Sequence, residues 1–284
     1  MKRETIPVSV IIMTKNEERR IRRCLEGVKA FDEVFVVDSN STDRTADIVN
    51  EMGAILVNFT WDGKYPKKKQ WCLENLPFKH DWVIYVDADE IVTPEAEAEI
   101  KKLFQKKPEA DGYFAGYDYI FMDKVLKYGH RMYKLILFNR NKGRFLDYDD
   151  LDAMNMWEVE GHYQPQIYGK TEVLSKHLIH FDHDSLFDYF AKHNRYSDWE
   201  AVVRNKGLFS NLNESQIAIR KVQKKIFNKM PMKWVFAFLH SYCLKLGLLD
   251  GKAGFHYALA RSMYYWQVGI KMYSLNSANK DRAL

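Results

Sequence analysis

Cysteine is scarce in this sequence: Cys24, Cys72 and Cys243 are far apart in 284 residues and form no Cys-x-x-Cys pair. Neither a disulfide framework nor a zinc ribbon is suggested, and a reducing compartment is the expectation. Long apolar runs are missing too. The longest candidate, Trp234 to Leu249, is interrupted by His240 and Lys245, whereas a membrane-spanning helix needs about 20 nearly uninterrupted apolar residues. Val8 to Met13 is apolar but runs into Lys15-Asn16-Glu17-Glu18 too soon for a cleavable leader, so a cytoplasmic chain is expected. There is little excess charge: 43 basic against 38 acidic residues leave +5, too mild to impose nucleic-acid binding on the whole chain. Internal repeats and low-complexity linkers are also absent.

What is present belongs to a folded globular chain. Hydrophobic residues at 46%, aromatics at 14% and charged residues at 29% supply enough apolar surface to offset the entropy of ordering. The length allows one large domain, or one domain with an appendage. From Val8 to Asp87, apolar runs alternate with helical spacing, the mark of β-α-β crossovers and a parallel sheet. Val8–Met13, Glu33–Val37, Ala54–Phe59 and Trp82–Val86 read as buried strands. Glu17–Val28 and Asp43–Met52 read as helices, the second with Ser41 or Thr42 as N-cap and Gly53 as its terminator. Thr93 and Pro94 open a surface helix to Lys106, Tyr113 to Phe121 reads as a strand, and past Ser185 the pattern is helical almost to the end. In open α/β sheets the ligand crevice lies at the carboxyl ends of the strands, so Thr14, Asp38 and Asp87 should converge.

The sharpest chemical signal is Trp82-Val83-Ile84-Tyr85-Val86-Asp87-Ala88-Asp89-Glu90, a buried strand delivering two carboxylates one residue apart. Hard oxygen ligands so placed suit Mg²⁺ or Mn²⁺ shared with a diphosphate; the plain alternative is a turn of solvated acids. Asp38 precedes a polar turn at a helix N-terminus, where it could receive a base or ribose or merely satisfy loop amides. His177, His180 and His183 recur every third residue. Of these, His180 is a candidate metal or phosphate partner. Arg140 reads as a phosphate clamp or as an ordinary edge-strand charge.

Val8-Ser9-Val10-Ile11-Ile12-Met13-Thr14-Lys15-Asn16-Glu17, then Val36-Val37-Asp38-Ser39 to Thr45, then Val86-Asp87-Ala88-Asp89-Glu90 together resemble the ordered signature of glycosyltransferase family 2. The resemblance covers about the first hundred residues. It implies an α/β GT-A fold, a Rossmann-like mostly parallel sheet, with a nucleotide-sugar donor, a divalent cation (Mn²⁺ or Mg²⁺) and inversion at the anomeric carbon. Carried over by position, Thr14, Glu17 and Asp38 would hold the nucleoside, and Asp87 and Asp89 would serve the ribose, diphosphate and metal. Of Lys67, Lys68 and Lys69, only Lys69 is taken as a donor-phosphate partner.

Inversion needs a base for the acceptor hydroxyl. Candidates are Asp147, Asp149, Asp150 and Asp152, and the segment Trp157-Glu158-Val159-Glu160-Gly161-His162. That segment resembles the acceptor side of a bacterial subgroup related to enzymes of lipopolysaccharide core and exopolysaccharide assembly. Glu160 is the expected base and Glu158 the reserve. The expected division is a catalytic domain over 1–184 (a nucleotide-binding half over 1–110, an acceptor half over 111–184) and a helical region over 185–284. From Ile217 to Leu275, ten Lys and Arg stand against Asp250 alone, interleaved with aliphatic and aromatic residues. This pattern fits an anionic bilayer surface, or a basic helix packed on the catalytic domain. The sequence reading is therefore a UDP-sugar-dependent transferase acting on a glycolipid or cell-surface glycan, peripheral on the inner face of the plasma membrane. A haloacid-dehalogenase-like phosphatase, suggested by Asp87-Ala88-Asp89-Glu90-Ile91, and a non-catalytic membrane-associated scaffold are the alternatives.

Overall fold

The Val- and Ile-rich run at the start of the chain forms strand β1 (Ile6–Thr14), in which Val8, Val10, Ile11 and Ile12 are fully buried. A strand covered on both faces reads as a continuous apolar run, as in parallel α/β sheets. In the computed structural model, residues 5–129, 131–147, 149–151, 156–160, 164–181, 185–208, 227 and 230–281 are described. His183, Asp152, Gly161, His162 and the basic residues Arg220, Lys221, Lys224, Lys225 and Lys229 lie outside them.

After β1 come α1 (Ile21–Glu26), β2 (Phe31–Asp38), α2 (Thr45–Glu51), β3 (Ile55–Asn58), α3 (Lys68–Asn75), β4 (Trp82–Asp87), β5 (Glu90–Ile91) and α4 (Pro94–Lys106). Then follow β6 (Gly112–Phe121), β7 (Lys124–Val125), β8 (Tyr133–Asn139), β9 (Gly143–Arg144), β10 (Gln166–Ile167) and β11 (Thr171–Phe181). Helices α5 (Leu186–Asn205), α6 (Lys233–Leu239) and α7 (Gly251–Asp281) complete the set. Between α6 and α7 lie a π-helical turn, His240–Leu244, and a 3₁₀ turn, Gly247–Asp250.

The main sheet runs β3-β2-β1-β4-β8-β6-β11-β5. Its first four strands are parallel, and β8 joins β4 antiparallel. The chain steps outward from β1 to β3 and then returns to the other side of β1, so the strand order reverses between β1 and β4. Such a switch point opens a crevice at the carboxyl ends of the strands.

Two helix starts follow the expected chemistry. Thr93 caps α4 by accepting from the Ala96 amide with Pro94 in the first turn, and Ser185 caps α5 by accepting from the Asp188 amide. Two others begin later than the sequence predicts. α1 is confined to Ile21–Glu26 and α2 starts at Thr45, because the polar residues before each helix bond across to the other loop. Asn16, in the left-handed region at φ 57°, accepts from the Thr42 amide at 2.8 Å, and the Glu18 amide donates to Asp43 at 3.1 Å.

The chain forms two compact units. One comprises Met1–Asp118, Met132–Leu146 and Glu158–Phe181; the other comprises Tyr119–Arg131, Asp147–Trp157 and Asp182–Leu284. Tyr119–Arg131 and Asp147–Trp157 group with the later helices in the second unit. Asp150 explains one of them: its carboxylate accepts from the Trp199 indole on α5 at 2.8 Å. Asp250 explains the other, accepting from the Lys127 and Tyr128 amides at 3.1 and 2.8 Å. No helix among the described residues is long and apolar enough to cross a membrane.

Candidate active site

Register brings the strand ends together. Thr14 is paired with Asp38 across β1 and β2, and Met13 with Asp87 across β1 and β4. Parallel strands point the same way, so the three expected residues Thr14, Asp38 and Asp87 finish at one edge of one unit. Asp38 is buried and accepts from the Thr14 hydroxyl at 2.7 Å, the Ser41 amide at 2.7 Å and the Ser41 hydroxyl at 2.6 Å. These donors hold an acidic group fixed at the mouth of the crevice. Glu17 fixes the neighbouring loop: its amide donates to Thr45 and its carboxylate holds Arg20 at 2.9 Å.

The three lysines part company because α3 begins among them, and successive helical residues diverge by about 100°. Lys68 is buried, and its ammonium donates to Ser39 Oγ and, at 3.2 Å, to the Thr14 carbonyl. Glu158 accepts from the Ser39 hydroxyl and lies 3.5 Å from the Lys68 ammonium. Burial lowers the Lys68 pKa, while Glu158 and Asp38 oppose that shift. Lys69, the expected donor partner, lines a pocket shared with Tyr85, Asp87, Glu90, Lys134 and Gln164.

At the end of β4 the Lys134 ammonium bridges two acids, 2.7 Å from Asp87 Oδ2 and 2.6 Å from Glu90 Oε1. Glu90 also accepts from the Asp87 amide at 3.1 Å and the Tyr117 hydroxyl at 3.2 Å. Desolvation works against ionisation of Asp87, but the adjacent Lys134 and Lys69 ammonium groups outweigh it and hold the carboxyl far below its usual range. Burial pushes Glu90 the other way, helped by the charge on Asp87.

Replacing Lys134 with Met is expected to cost about 2 kcal/mol, less than the ~3–5 of a fully buried pair because Asp87 is partly exposed. The native ion pair should also leave a pH signature. A carboxyl depressed in the folded state stabilises above its unfolded pKa of about 4, and that stability is lost as the pH falls. Melting curves from pH 7 to 3 should therefore show a shallower acid limb for Lys134→Met than for the parent. Equal slopes would remove the bridge from the account.

His180 Nε2 lies 3.4 Å from Asp89 Oδ2, so β11 brings the expected histidine to the second aspartate. His177 departs to Asp118 at 2.9 Å, since residues three apart on a strand face opposite ways. Among the described residues, no group of three or more His, Cys, Asp or Glu side chains could hold an ion unaided. The oxygens of Asp89 with the His180 imidazole nevertheless suit Mn²⁺ or Mg²⁺ when phosphate oxygens complete the shell.

Glu160, the expected base, lies against the first turn of α3. Its two carboxylate oxygens accept from the Lys69 amide at 2.7 Å and the Gln70 amide at 3.0 Å, and the residue is fully buried. It thereby supplies the N-terminal acceptors of α3, whose own N-cap residue, Lys67, makes no side-chain cap bond. Burial raises its pKa, with the Gln70 and Lys69 amides pulling the other way. Glu158, the reserve, engages Ser39 and Lys68. Arg140 is no clamp either: it donates to the His80 carbonyl at 3.0 Å and lies 3.6 Å from Asp81. Asp147 and Asp149 form a local turn, the Asp149 amide donating to Asp147 at 2.9 Å.

Lys68, Glu90, Lys134 and Gln164 are site residues that the sequence reading missed. A start for α3 placed at Lys68 would have separated the three lysines; for Lys134, alone on a strand, no local signal exists.

Residues 9–163 match Glycosyl transferase family 2. A Rickettsia felis protein described as an uncharacterized glycosyltransferase is 30% identical over 92% of this chain and 95% of its own length. Its counterpart in Rickettsia conorii is 31% identical over 88% of this chain and 84% of its own. The match to a Rickettsia bellii glycosyltransferase, 35% identical, spans only 49% of this chain and 42% of that protein. Among solved structures, a mannosyltransferase from Pyrobaculum calidifontis in complex with GDP-mannose and Mn²⁺ shares the GT-A fold. It has a TM-score of 0.51 and 14% identity over 94% of this chain and 86% of its own. With two parallel β-α units ahead of the aspartate pair, the phosphatase reading gives way to a transferase. The chain belongs to glycosyltransferase family 2 and is a glycosyltransferase of the α/β GT-A fold.

Proposed function

We propose that this chain is an inverting, metal-dependent transferase that moves a sugar from a UDP-sugar to a glycolipid or cell-surface glycan, of the kind found in lipopolysaccharide core or exopolysaccharide. The observation that carries the reading is the in-register meeting of Thr14, Asp38 and Asp87, with Asp89 two residues on. Asp38, held by Thr14 and Ser41, receives the imide N–H of the base, and Glu17 keeps the adjoining loop in place. Asp87 serves the ribose and diphosphate. Lys69, in the same pocket, faces the diphosphate charge. Asp89, Asp87 and His180 are the protein ligands of Mn²⁺ or Mg²⁺. When bound, that ion neutralises charge developing on the departing diphosphate.

Inversion also requires a base for the acceptor hydroxyl. In this reading Glu160 positions α3, and with it Lys68 and Lys69, rather than touching the acceptor. Glu158 steadies Ser39 and Lys68. The acceptor class and the inner-membrane location draw on the basic, aromatic composition beyond residue 217 and on the subgroup resemblance.

Calorimetric titration of the protein with a panel of nucleotide sugars, with and without Mn²⁺, tests the assignment. A UDP-sugar is expected to bind only when Mn²⁺ is present, and heat from no member of the panel would overturn it.

A further inference from the structure

Helix α7 is apolar on two sides. Tyr257, Ala258, Ala260 and Val268 are buried, while Ser262 donates to the Trp234 carbonyl of α6 and Tyr264 donates to Glu200 of α5. One face of α7 is therefore already occupied by helices of the same unit. The other face carries Phe255, Leu259, Met263, Trp266, Ile270 and Tyr273, which are between 38 and 77% exposed. Their spacing of three and four residues puts them in one row about 27 Å long at ~1.5 Å per residue.

The turns that lead into α7 extend this row. Leu244, Leu246, Leu248 and Leu249 are 75, 48, 43 and 54% exposed, and exposed Lys245 and Lys252 stand among them. Scattered exposed leucines are ordinary; a turn carrying four of them beside a continuous helical row is a patch that needs a partner.

Charge identifies the partner. From Met230 to Asn276 the sequence has five cations and one acid, Asp250. That acid is buried, its carboxylate taken up by the Lys127 and Tyr128 amides. Of the five cations, Lys271 pairs with Asp198 at 2.6 Å and Lys233 and Arg261 are partly buried, so the exposed charges of the segment are Lys245 and Lys252, with no exposed acid. A second copy docking face to face would bring like charges together, because a two-fold contact pairs each patch with itself. A bilayer with anionic headgroups satisfies both features: leucine and aromatic side chains enter the acyl boundary, and lysine stems lie along it with their ammonium groups among the phosphates.

We propose that the exposed row of α7 and the leucine turn before it form a monotopic docking surface for anionic phospholipid bilayers. The surface gives physical form to the membrane location in the transferase reading, yet it needs neither donor nor metal. It also lies downstream of the Ile217–Met230 run, which carries five of the ten cations between Ile217 and Leu275.

Flotation of the full chain with vesicles of phosphatidylcholine alone, or with 30% phosphatidylglycerol added, tests this directly in the absence of nucleotide. The protein is expected to float with the anionic vesicles and to be released by high salt. Leu244→Asp with Leu249→Asp should lower the bound fraction at least tenfold at unchanged melting temperature. Lys245→Glu with Lys252→Glu should lower binding to anionic vesicles while leaving the apolar row intact. Ile55→Asp, an exposed apolar position in the other unit, should leave binding unchanged. Failure to float with either vesicle, or flotation indifferent to both double variants, would overturn the proposal. So would a dimer in sedimentation that Leu244→Asp with Leu249→Asp dissociates while vesicles capture nothing. Donor binding by calorimetry is read separately, so failure of the membrane surface is distinguishable from failure of the transferase reading.

Discussion

Asp89→Ala is expected to reduce transfer at least ~10³-fold, since ion-assisted stabilisation of a leaving phosphate is worth several kcal/mol and each ~1.4 is tenfold. The fold should survive. Asp89 sits at the end of β4 beside Asp87 and Glu90, so its removal relieves like-charge crowding, and the Lys134 bridge to the other two acids is untouched. The measurement is turnover of the nucleotide sugar identified by calorimetry, with a melting curve taken on the same sample. Turnover within tenfold of the parent at saturating Mn²⁺ would remove Asp89 from the metal site. A collapsed melting transition would instead make it a structural residue.

Glu160→Ala is expected to destabilise the protein by about 3 kcal/mol, because two buried amides at the start of α3 each lose an acceptor at ~1–3 kcal/mol. That corresponds to a fall in melting temperature of about 6–12 °C. Glu160→Gln restores one acceptor oxygen but sets an NH₂ group against the other amide, so it should lie between parent and Ala. The anchor and the base leave opposite traces. A general base contributes about 10²–10⁴-fold to turnover and little to folding. An anchor shifts the melting temperature and, by displacing Lys69, raises the KM for the donor more than it lowers kcat. If Glu160→Gln melted like the parent yet lost the chemical step, the carboxylate would be the base after all.

These two residues mark the line between what was legible in the chain and what was not. Asp89 was readable because its signal is local: an apolar strand ends on Asp-x-Asp, and the sheet pattern upstream says which end of the strand it occupies. The same logic exposed the strand-end places of Thr14 and Asp38, and the capped start of α4 at Thr93. The anchoring contacts of Glu160 were not legible, because its position in a polar segment shows only an acid, while the amides it serves lie 91 and 90 residues earlier in the chain.

The sequence by itself determined the parallel half of the sheet, the strand ends that form the crevice and the helical character of the described stretches after Ser185. Period, capping and strand termination are short-range properties that a few adjacent side chains suffice to encode. Only the tertiary structure decided which of three consecutive lysines enters the Asp87 pocket, that Lys134 bridges Asp87 and Glu90, and that Glu158 and Glu160 hold the Ser39 loop and α3. Those outcomes depend on where distant strands place their side chains. A buried charge is tolerated only where such placement brings it a partner.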